Sequence, residues 1–247
     1  MANEVVDWKT QMENEARAAA AVERPTLQMV SLRSGILQLN KQPVPKNILT
    51  CVVVGSAHEH RWFDRPFDPD NLRNPSCFAL SISGEDMAAH AEAKDPQSKD
   101  GCQLCPMFQW GSDPKPNSRG KACKDVRRLV LIPVSALQDS GAKAEMAILN
   151  IPVTSVKQWA NYVNALASQF ARPPWGVITE ITTRPHAKNQ FEVLFNASAL
   201  VADDMLPVAK AKADEAVPML LAGYEPPPDD VPAPEKQPPA AKGKSKF

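Results

Sequence analysis

The sequence predicts a mainly β protein with helices, of the α+β class, organised as a small closed β-barrel that carries one long insertion. Three observations support this prediction. Short runs of β-branched and apolar residues recur at strand length through the middle of the chain, one amphipathic helix interrupts them, and a polar stretch with most of the cysteines separates two of the runs. The chain of 247 residues is long enough to enclose a hydrophobic core.

The chain is expected to begin with a helical arm over residues 1–25. Asn3 is a suitable N-cap, the alanine run at 18–21 favours helix, and Pro25 ends it. The apolar stripe of this segment is weak. The arm is therefore expected to lie at the periphery rather than in the core.

The barrel itself is predicted over residues 26–200. Residues 27–39 alternate around a Ser-Gly turn as the two arms of a β-hairpin do, and the β-branched run 47–56 predicts a strand. Further strands are predicted at 78–83, 128–133, 144–151, 177–183 and 190–197. The charged residues 58–76 are interpreted as a solvated loop, and residues 84–124 as an irregular insertion.

One helix is expected inside the barrel segment, over residues 153–170. Its core-facing apolar residues recur at the spacing of one helix face. They are Val156, Trp159, Tyr162, Val163, Leu166 and Phe170. About seven strands, one central helix and a long loop fit an OB-fold, whose loops and curved face suit oligonucleotide chains.

A peripheral helix and a tail are predicted to follow the barrel. The helix is assigned to residues 201–223, although Pro207 and Pro218 interrupt its pattern. Residues 224–247 are rich in proline, with acidic residues first and lysines last. Since this segment has almost no apolar side chains to bury, it is expected to be disordered.

Charge and hydropathy narrow the functional class. The chain has 28 basic and 28 acidic residues, so any attraction to phosphate has to come from local clustering. No apolar run approaches the length of a membrane span, and the N-terminus does not have the pattern of a signal peptide. The protein is expected to be cytoplasmic and to bind no membrane, in a reducing compartment that disfavours disulfides.

Four of the five cysteines form the strongest functional pattern in the chain. Cys102 and Cys105 form a Cys-x-x-Cys pair, which can hold one metal ion from a tight turn, and Cys77 and Cys123 flank the pair. Four thiolates are the closed tetrahedral ligand set of structural zinc. The sequence therefore predicts a structural Zn²⁺ ion that staples the 84–124 insertion, with no open position for catalysis.

Other interpretations of the cysteines stay open. Free thiols or redox chemistry would need no metal, and His90 is a reserve ligand if Cys77 lies inside the barrel. His90 and Glu92 before the Cys-x-x-Cys pair also resemble the zinc deaminase signature. Only nine residues separate Glu92 from Cys102, however, and Pro106 follows the pair instead of preceding it. The protein is accordingly expected not to be an enzyme.

Cations and aromatic rings cluster around the cysteines. Binding of single-stranded nucleic acid needs cations for the phosphates and aromatic faces for base stacking. The candidate DNA-binding residues are Lys115, Arg119, Lys121, Lys124, Arg127, Arg128, Trp110, Trp62, Arg61 and Phe63. The alternative is that the charges form a solvated face and that the aromatic rings lie in the core.

These motifs resemble those of phage-encoded single-stranded-DNA-binding proteins that carry a zinc-binding insertion in an OB-fold. The resemblance is carried by Asn74-Pro-Ser-Cys77, by Cys102-x-x-Cys105-Pro and by Gly120-Lys-Ala-Cys123-Lys-Asp-Val-Arg-Arg-Leu-Val, and it spans residues 26–197. It implies non-catalytic binding of single-stranded DNA in phage replication or recombination, in the host bacterial cytoplasm.

The tail departs from the pattern of that family. Such binders commonly end in a strongly acidic tail that recruits replication partners, whereas the acidic residues here give way to Lys242, Lys244 and Lys246. If the tail of this chain has the same recruiting role, its expected partners are replication or recombination proteins. The alternative expectation is a zinc-stabilised structural or adaptor protein that binds another protein through its loop or tail.

Overall fold

One sheet of nine strands dominates the part of the chain that the structure describes. The strands are β1 (Gln28–Arg33), β2 (Ile36–Leu39), β3 (Gln42–Pro43), β4 (Ile48–Trp62), β5 (Cys77–Ser81), β6 (Lys124–Pro133), β7 (Ala147–Ile151), β8 (Val177–His186) and β9 (Gln190–Leu200). Their spatial order is β3-β2-β1-β7-β6-β4-β8-β9, with β5 paired to the second half of β4. β1 and β7 pair in parallel, and the other pairs are antiparallel.

The structure is a computed structural model that describes residues 28–66, 68, 73–187 and 190–224, together with Trp8 and Met12. Trp8 and Met12 are helical and exposed. The rest of the predicted N-terminal arm lies outside the described residues. The predicted tail lies outside them too, except for Tyr224.

Three α-helices accompany the sheet in the described residues: α1 (Val134–Ser140), α2 (Val153–Phe170) and α3 (Leu206–Leu221). The mid-chain helix is confirmed with the predicted ends, whereas α1 was not predicted. α3 is continuous, because Pro207 lies in its first turn and Pro218 is accommodated within it. Within the described residues, no helix is both long enough and apolar enough to span a membrane.

The sheet is curled and open, and the fold is of the α+β class. Its inner core takes side chains from strands at opposite ends of the sheet, such as Leu37 on β2 and Val193 on β9, and from α2. A flat sheet could not bring these strands around one core. The outer face carries a second core beneath α1 and α3, which includes Leu137 and Leu220.

Side chains tie the two ends of the curled sheet together. The Asn47 side-chain amide donates to the backbone oxygen of Gly35 (2.9 Å) and to Oγ1 of Thr183 (2.7 Å). Its oxygen accepts the backbone N–H of Leu37 (2.7 Å). The β1–β2 turn is thereby held against β8 through one asparagine.

β4 is longer than the sequence predicted. Residues 58–62, interpreted as part of a solvated loop, continue the strand, because β5 and β6 flank them and satisfy their backbone. The prediction of loop structure was wrong there, and so was that of solvation at Glu59, which is fully buried. The register of β4 against β6 shifts at residues 53–55, between the half of β4 that pairs with β8 and the half that pairs with β5.

Gly55, at this register shift, permits the close approach of α3. A Cβ atom there would lie 2.7 Å from Cδ1 of Leu220. Gly55→Val is therefore expected to displace α3 and to lower the free energy of unfolding by roughly 1–3 kcal/mol in a urea titration. The double variant with Leu220→Ala should lose less than the sum of the two single losses, and strict additivity would contradict this steric explanation.

Candidate metal centre and nucleic-acid interface

The insertion between β5 and β6 is irregular, as predicted, and has a single 3₁₀ turn at Pro106–Phe108. Backbone hydrogen bonds at the cysteines organise it. The N–H of Cys102 donates to Met87 O (2.7 Å), and the N–H of Cys123 donates to Met107 O (2.8 Å). The N–H of Cys105 donates to Cys102 O (3.2 Å), so the Cys-x-x-Cys segment is the expected tight turn.

The strands on either side of β4 bring the outer cysteines to this turn. Cys77 begins β5, and Cys123 immediately precedes β6. As a result Cys77, Cys102, Cys105 and Cys123 all line one cavity. Three of the four are buried, and Cys102 is half-buried. Cys77 faces this cavity rather than the inner core, which removes the reason for a reserve ligand.

The thiol pKa values show that the four sulfurs are electrostatic neighbours. Burial raises the pKa of Cys102 to about 11, and the charges of Cys77 and Cys105 contribute. Burial likewise raises the pKa of Cys123 to about 12, with further contributions from the other three cysteines. Since crowding and desolvation oppose ionisation, a cation would have to supply the compensating charge.

Four cysteine thiols are the type of ligand that structural zinc takes, but in the structure they do not surround one common position for the ion. Among the residues that the structure describes, no three His, Cys, Asp or Glu side chains are grouped so that they could hold a metal ion where they stand. Four soft thiols nevertheless face one largely apolar cavity, and all are free of disulfides.

Two histidines next to this region have different surroundings. His90 does not line the cavity; its ring stacks on Phe78 and its Nε2 lies 3.3 Å from Leu221 O. His60 does line it, is only 7% exposed, and packs against Phe108 in a tilted arrangement with 4.0 Å between ring centroids. Burial lowers the pKa of His60 to about 4, so this imidazole is neutral at pH 7.

An exposed aromatic and cationic surface lies between Cys105 and Cys123. We call it the insertion patch and define it as the exposed residues Trp110, Lys115 and Arg119 together with the half-buried Lys121. Trp110 is 79% exposed. The Lys121 ammonium lies 3.5 Å from the ring centroid of Phe108 and 5.2 Å from that of Trp110. Lys115 and Arg119 are exposed on the same short hairpin, in which the N–H of Gly111 donates to the backbone oxygens of Arg119 and Gly120.

The remaining candidate contacts are not part of this patch. Lys124 pairs with Asp113 (2.9 Å), and Arg127 pairs with Asp125 (2.7 Å). Trp62 lines the cysteine cavity, and Phe63 lies exposed at the end of β4.

Arg128 and Arg61 belong to a buried cluster centred on Glu59. Glu59 Oε1 accepts from Arg128 Nη2 (3.0 Å) and from the Tyr224 hydroxyl, and Oε2 accepts from Arg61. Arg128 is 3% exposed and also donates to the backbone oxygen of Ala222 (2.6 Å). Its guanidinium is enclosed by protein, and we leave Arg128 and Arg61 out of the proposed binding surface.

This cluster and His60 were not recognised from the sequence. Within 58–62, alternate residues go to opposite faces of β4: His60 and Trp62 reach the cysteine cavity, whereas Glu59 and Arg61 reach Tyr224. Side chains of a strand alternate between its two faces, but in this segment both faces carry charged or polar residues, so no apolar alternation marks the strand in the sequence.

Comparison of the chain with protein-family models, with curated proteins and with solved structures finds no match.

Proposed function

We propose that this protein binds single-stranded DNA without catalysis, through the insertion patch, and that a structural zinc ion holds the patch in place. The observation that carries the proposal is the arrangement of Lys121 against two aromatic rings, one of them almost fully exposed, beside two further exposed cations. Aromatic faces stack on bases and cations neutralise phosphates, and the patch offers both within one hairpin.

The order of the strands supports an OB-like arrangement. β9-β8-β4-β6-β7 are consecutive in the sheet, and α2 lies between β7 and β8 in the chain. An OB barrel has the strand order 5-4-1-2-3 with its helix between strands 3 and 4. In this correspondence β5 and the insertion together connect the first two barrel strands, β4 and β6, in the place of a loop through which OB-folds bind oligonucleotides. The hairpin β1–β2 stands beside β7 where the fifth strand would close the barrel.

Zinc would be held by Cys77, Cys102, Cys105 and Cys123. Bound there, it would cross-link β5, the Cys-x-x-Cys turn and the start of β6, and would leave no position for a water ligand. The hairpin that carries the insertion patch lies between two of these ligands. Its geometry would thus depend on the metal centre at its base.

The same proposal includes the process and the compartment in which the protein would bind DNA. Binding single-stranded DNA without sequence readout suits phage replication or recombination in a bacterial cytoplasm. Replication or recombination proteins would then be partners of the tail.

Trp110→Ala is expected to weaken binding of a single-stranded oligonucleotide about ten-fold or more, since one stacked base contributes roughly 1–3 kcal/mol. Tryptophan fluorescence and anisotropy titrations measure this, and the salt dependence should change little. The matched control is Leu104→Ala, which removes another exposed apolar side chain (73% exposed) from the same insertion. If wild type and Trp110→Ala bound the oligonucleotide with equal affinity, the binding surface would have to lie outside the insertion patch.

Replacing Arg119 and Lys121 together by Ala is expected to reduce the salt dependence of binding. For single strands each phosphate contact contributes about 0.7 to the slope of log K against log salt, so the slope should fall by about 1.4. The control pair Lys143→Ala and Lys157→Ala removes the same charge from two exposed lysines outside the insertion. If both pairs change the slope equally, only net charge matters and the patch has no special role.

One observation favours an adaptor instead. Leu104, at the tip of the Cys-x-x-Cys turn, is as exposed as Trp110 and offers nothing to a phosphate. An apolar tip of this kind suits a protein partner. Absence of oligonucleotide binding by the wild type at low salt would favour this second function.

A further inference from the structure

We propose that His60 is a positioning residue of the metal centre, whose Nδ1–H donates a hydrogen bond to a cysteine thiolate of the zinc-loaded site. This inference rests on the proposed zinc centre and assigns a role to a residue outside its ligand set. It starts from one atom: Nδ1 of His60 is buried and has no hydrogen-bond partner among the described residues.

A buried polar atom without a partner is rare in folded proteins, because it has lost water and gained nothing in exchange. His60 cannot easily turn away, since its ring packs against Phe108 with 30° between the ring planes. Phe108 in turn ends the 3₁₀ turn that begins next to Cys105. The imidazole is therefore fixed at the wall of the cavity.

Three other polar side chains at or next to this wall make hydrogen bonds of their own. The side-chain amide of Gln97 donates to Asp95 O (2.9 Å), and the Ser98 hydroxyl accepts the N–H of Asp100 (3.2 Å). Asp125, opposite His60 in the β4–β6 register, accepts from Arg127. The cysteine sulfurs line the same cavity as His60 and would be strong acceptors once ionised, although the sulfur of Cys77 already accepts the backbone N–H of Gln97.

The charge of a loaded site explains why a donor would be needed there. Zinc with four thiolates would carry a net charge of −2 inside a cavity whose lining is largely apolar. An N–H group aimed at sulfur would disperse part of this charge and orient the ligand. Four thiolates complete the tetrahedron, so His60 is assigned to the surrounding shell and not to the metal.

The test uses the full chain and compares wild type with His60→Phe, which keeps an aromatic ring against Phe108 but cannot donate. Competition with a chromophoric chelator measures zinc affinity, and ¹¹³Cd NMR of the cadmium-loaded proteins reports the number of sulfur ligands. We expect both proteins to show four sulfur ligands and zinc affinity to fall 10- to 100-fold in the variant. The matched control is His58→Phe, on the same strand but outside the cavity lining, which should bind zinc as the wild type does.

A second measurement needs no variant. In cadmium-loaded wild type, a scalar coupling between ¹¹³Cd and the His60 Nδ1–H proton would report the hydrogen bond directly. Its absence, equal zinc affinity of wild type and His60→Phe, or a wild-type cadmium spectrum of three sulfurs and one nitrogen would each overturn the assignment. A wild type that binds neither zinc nor cadmium would overturn the zinc centre itself, which distinguishes the two failures.

Discussion

Cys105→Ser is expected to abolish zinc binding and to unfold the insertion, while the nine-stranded sheet persists. In the described residues the insertion has one 3₁₀ turn, and its other backbone hydrogen bonds are scattered along the loop, three of them donated by cysteine N–H groups. Such a segment buries too little apolar surface to offset its own conformational entropy, so the metal would supply most of its stability.

Elemental analysis and amide exchange test this expectation. The wild type should contain about one zinc per chain, as one four-thiolate set predicts, and Cys105→Ser should contain none. Exchange should accelerate between residues 84 and 123 and stay slow in β4, β6 and β8. Cys51→Ala is the control, since Cys51 lies in the inner core and away from the cavity. Wild-type protein prepared without chelator and found free of zinc would contradict the prediction.

DNA binding should fail in the same variant. The segment between Cys105 and Cys123 positions Trp110 and Lys121. Loss of the metal would therefore separate the side chains of the insertion patch, although all of its residues would still be present. A Cys105→Ser protein that lacks zinc and still binds oligonucleotide with wild-type affinity would show that DNA binding does not depend on the metal.

Glu59→Ala is expected to lower the free energy of unfolding by about 3–5 kcal/mol, because it leaves the buried Arg128 and the half-buried Arg61 without a counter-charge. Arg128 and Arg61 both pair with this carboxylate, and Tyr224 donates to it. Tyr224→Phe should cost less, about 1.5–3 kcal/mol, since it removes one hydrogen bond to a charged group. Urea unfolding measures both.

The control for Glu59 is an exposed ion pair. Asp214→Ala breaks the Lys210–Asp214 pair on α3, which is open to solvent, and should cost about 0.5 kcal/mol or less. If Glu59→Ala proved no more destabilising than Asp214→Ala, the cluster would contribute nothing to the fold.

The same cluster should make the fold sensitive to acid. Burial by itself would raise the pKa of Glu59, but the charges of Arg61 and Arg128 and the hydrogen bonds from Arg61 and Tyr224 outweigh it and lower that pKa. A lowered pKa contributes stability above the ordinary glutamate value of about 4.3, and this contribution is lost as pH falls through the folded value. Glu59→Gln should therefore flatten the stability profile below about pH 4 relative to wild type.

Several elements could be predicted because their cause is local in the chain. The period of apolar residues along α2 fixed its existence and both ends, although Ser155 is buried and Phe170 is exposed, contrary to the predicted face. The Cys-x-x-Cys spacing dictates a tight turn whatever surrounds it. The first half of β4 is β-branched and apolar enough to predict a strand without knowledge of its neighbours.

The second half of β4 shows what only the tertiary structure decided. By composition His58-Glu-His60-Arg-Trp62 is typical of a loop, since burying such groups is unfavourable unless partners are supplied. The partners come from β5, β6 and residue 224, far away in the chain. The same holds for Arg128, whose sequence context suggested a phosphate contact and whose fold gives it Glu59. Residue type and local period are properties of the sequence, whereas the partner that makes a buried charge tolerable exists only once distant strands have paired.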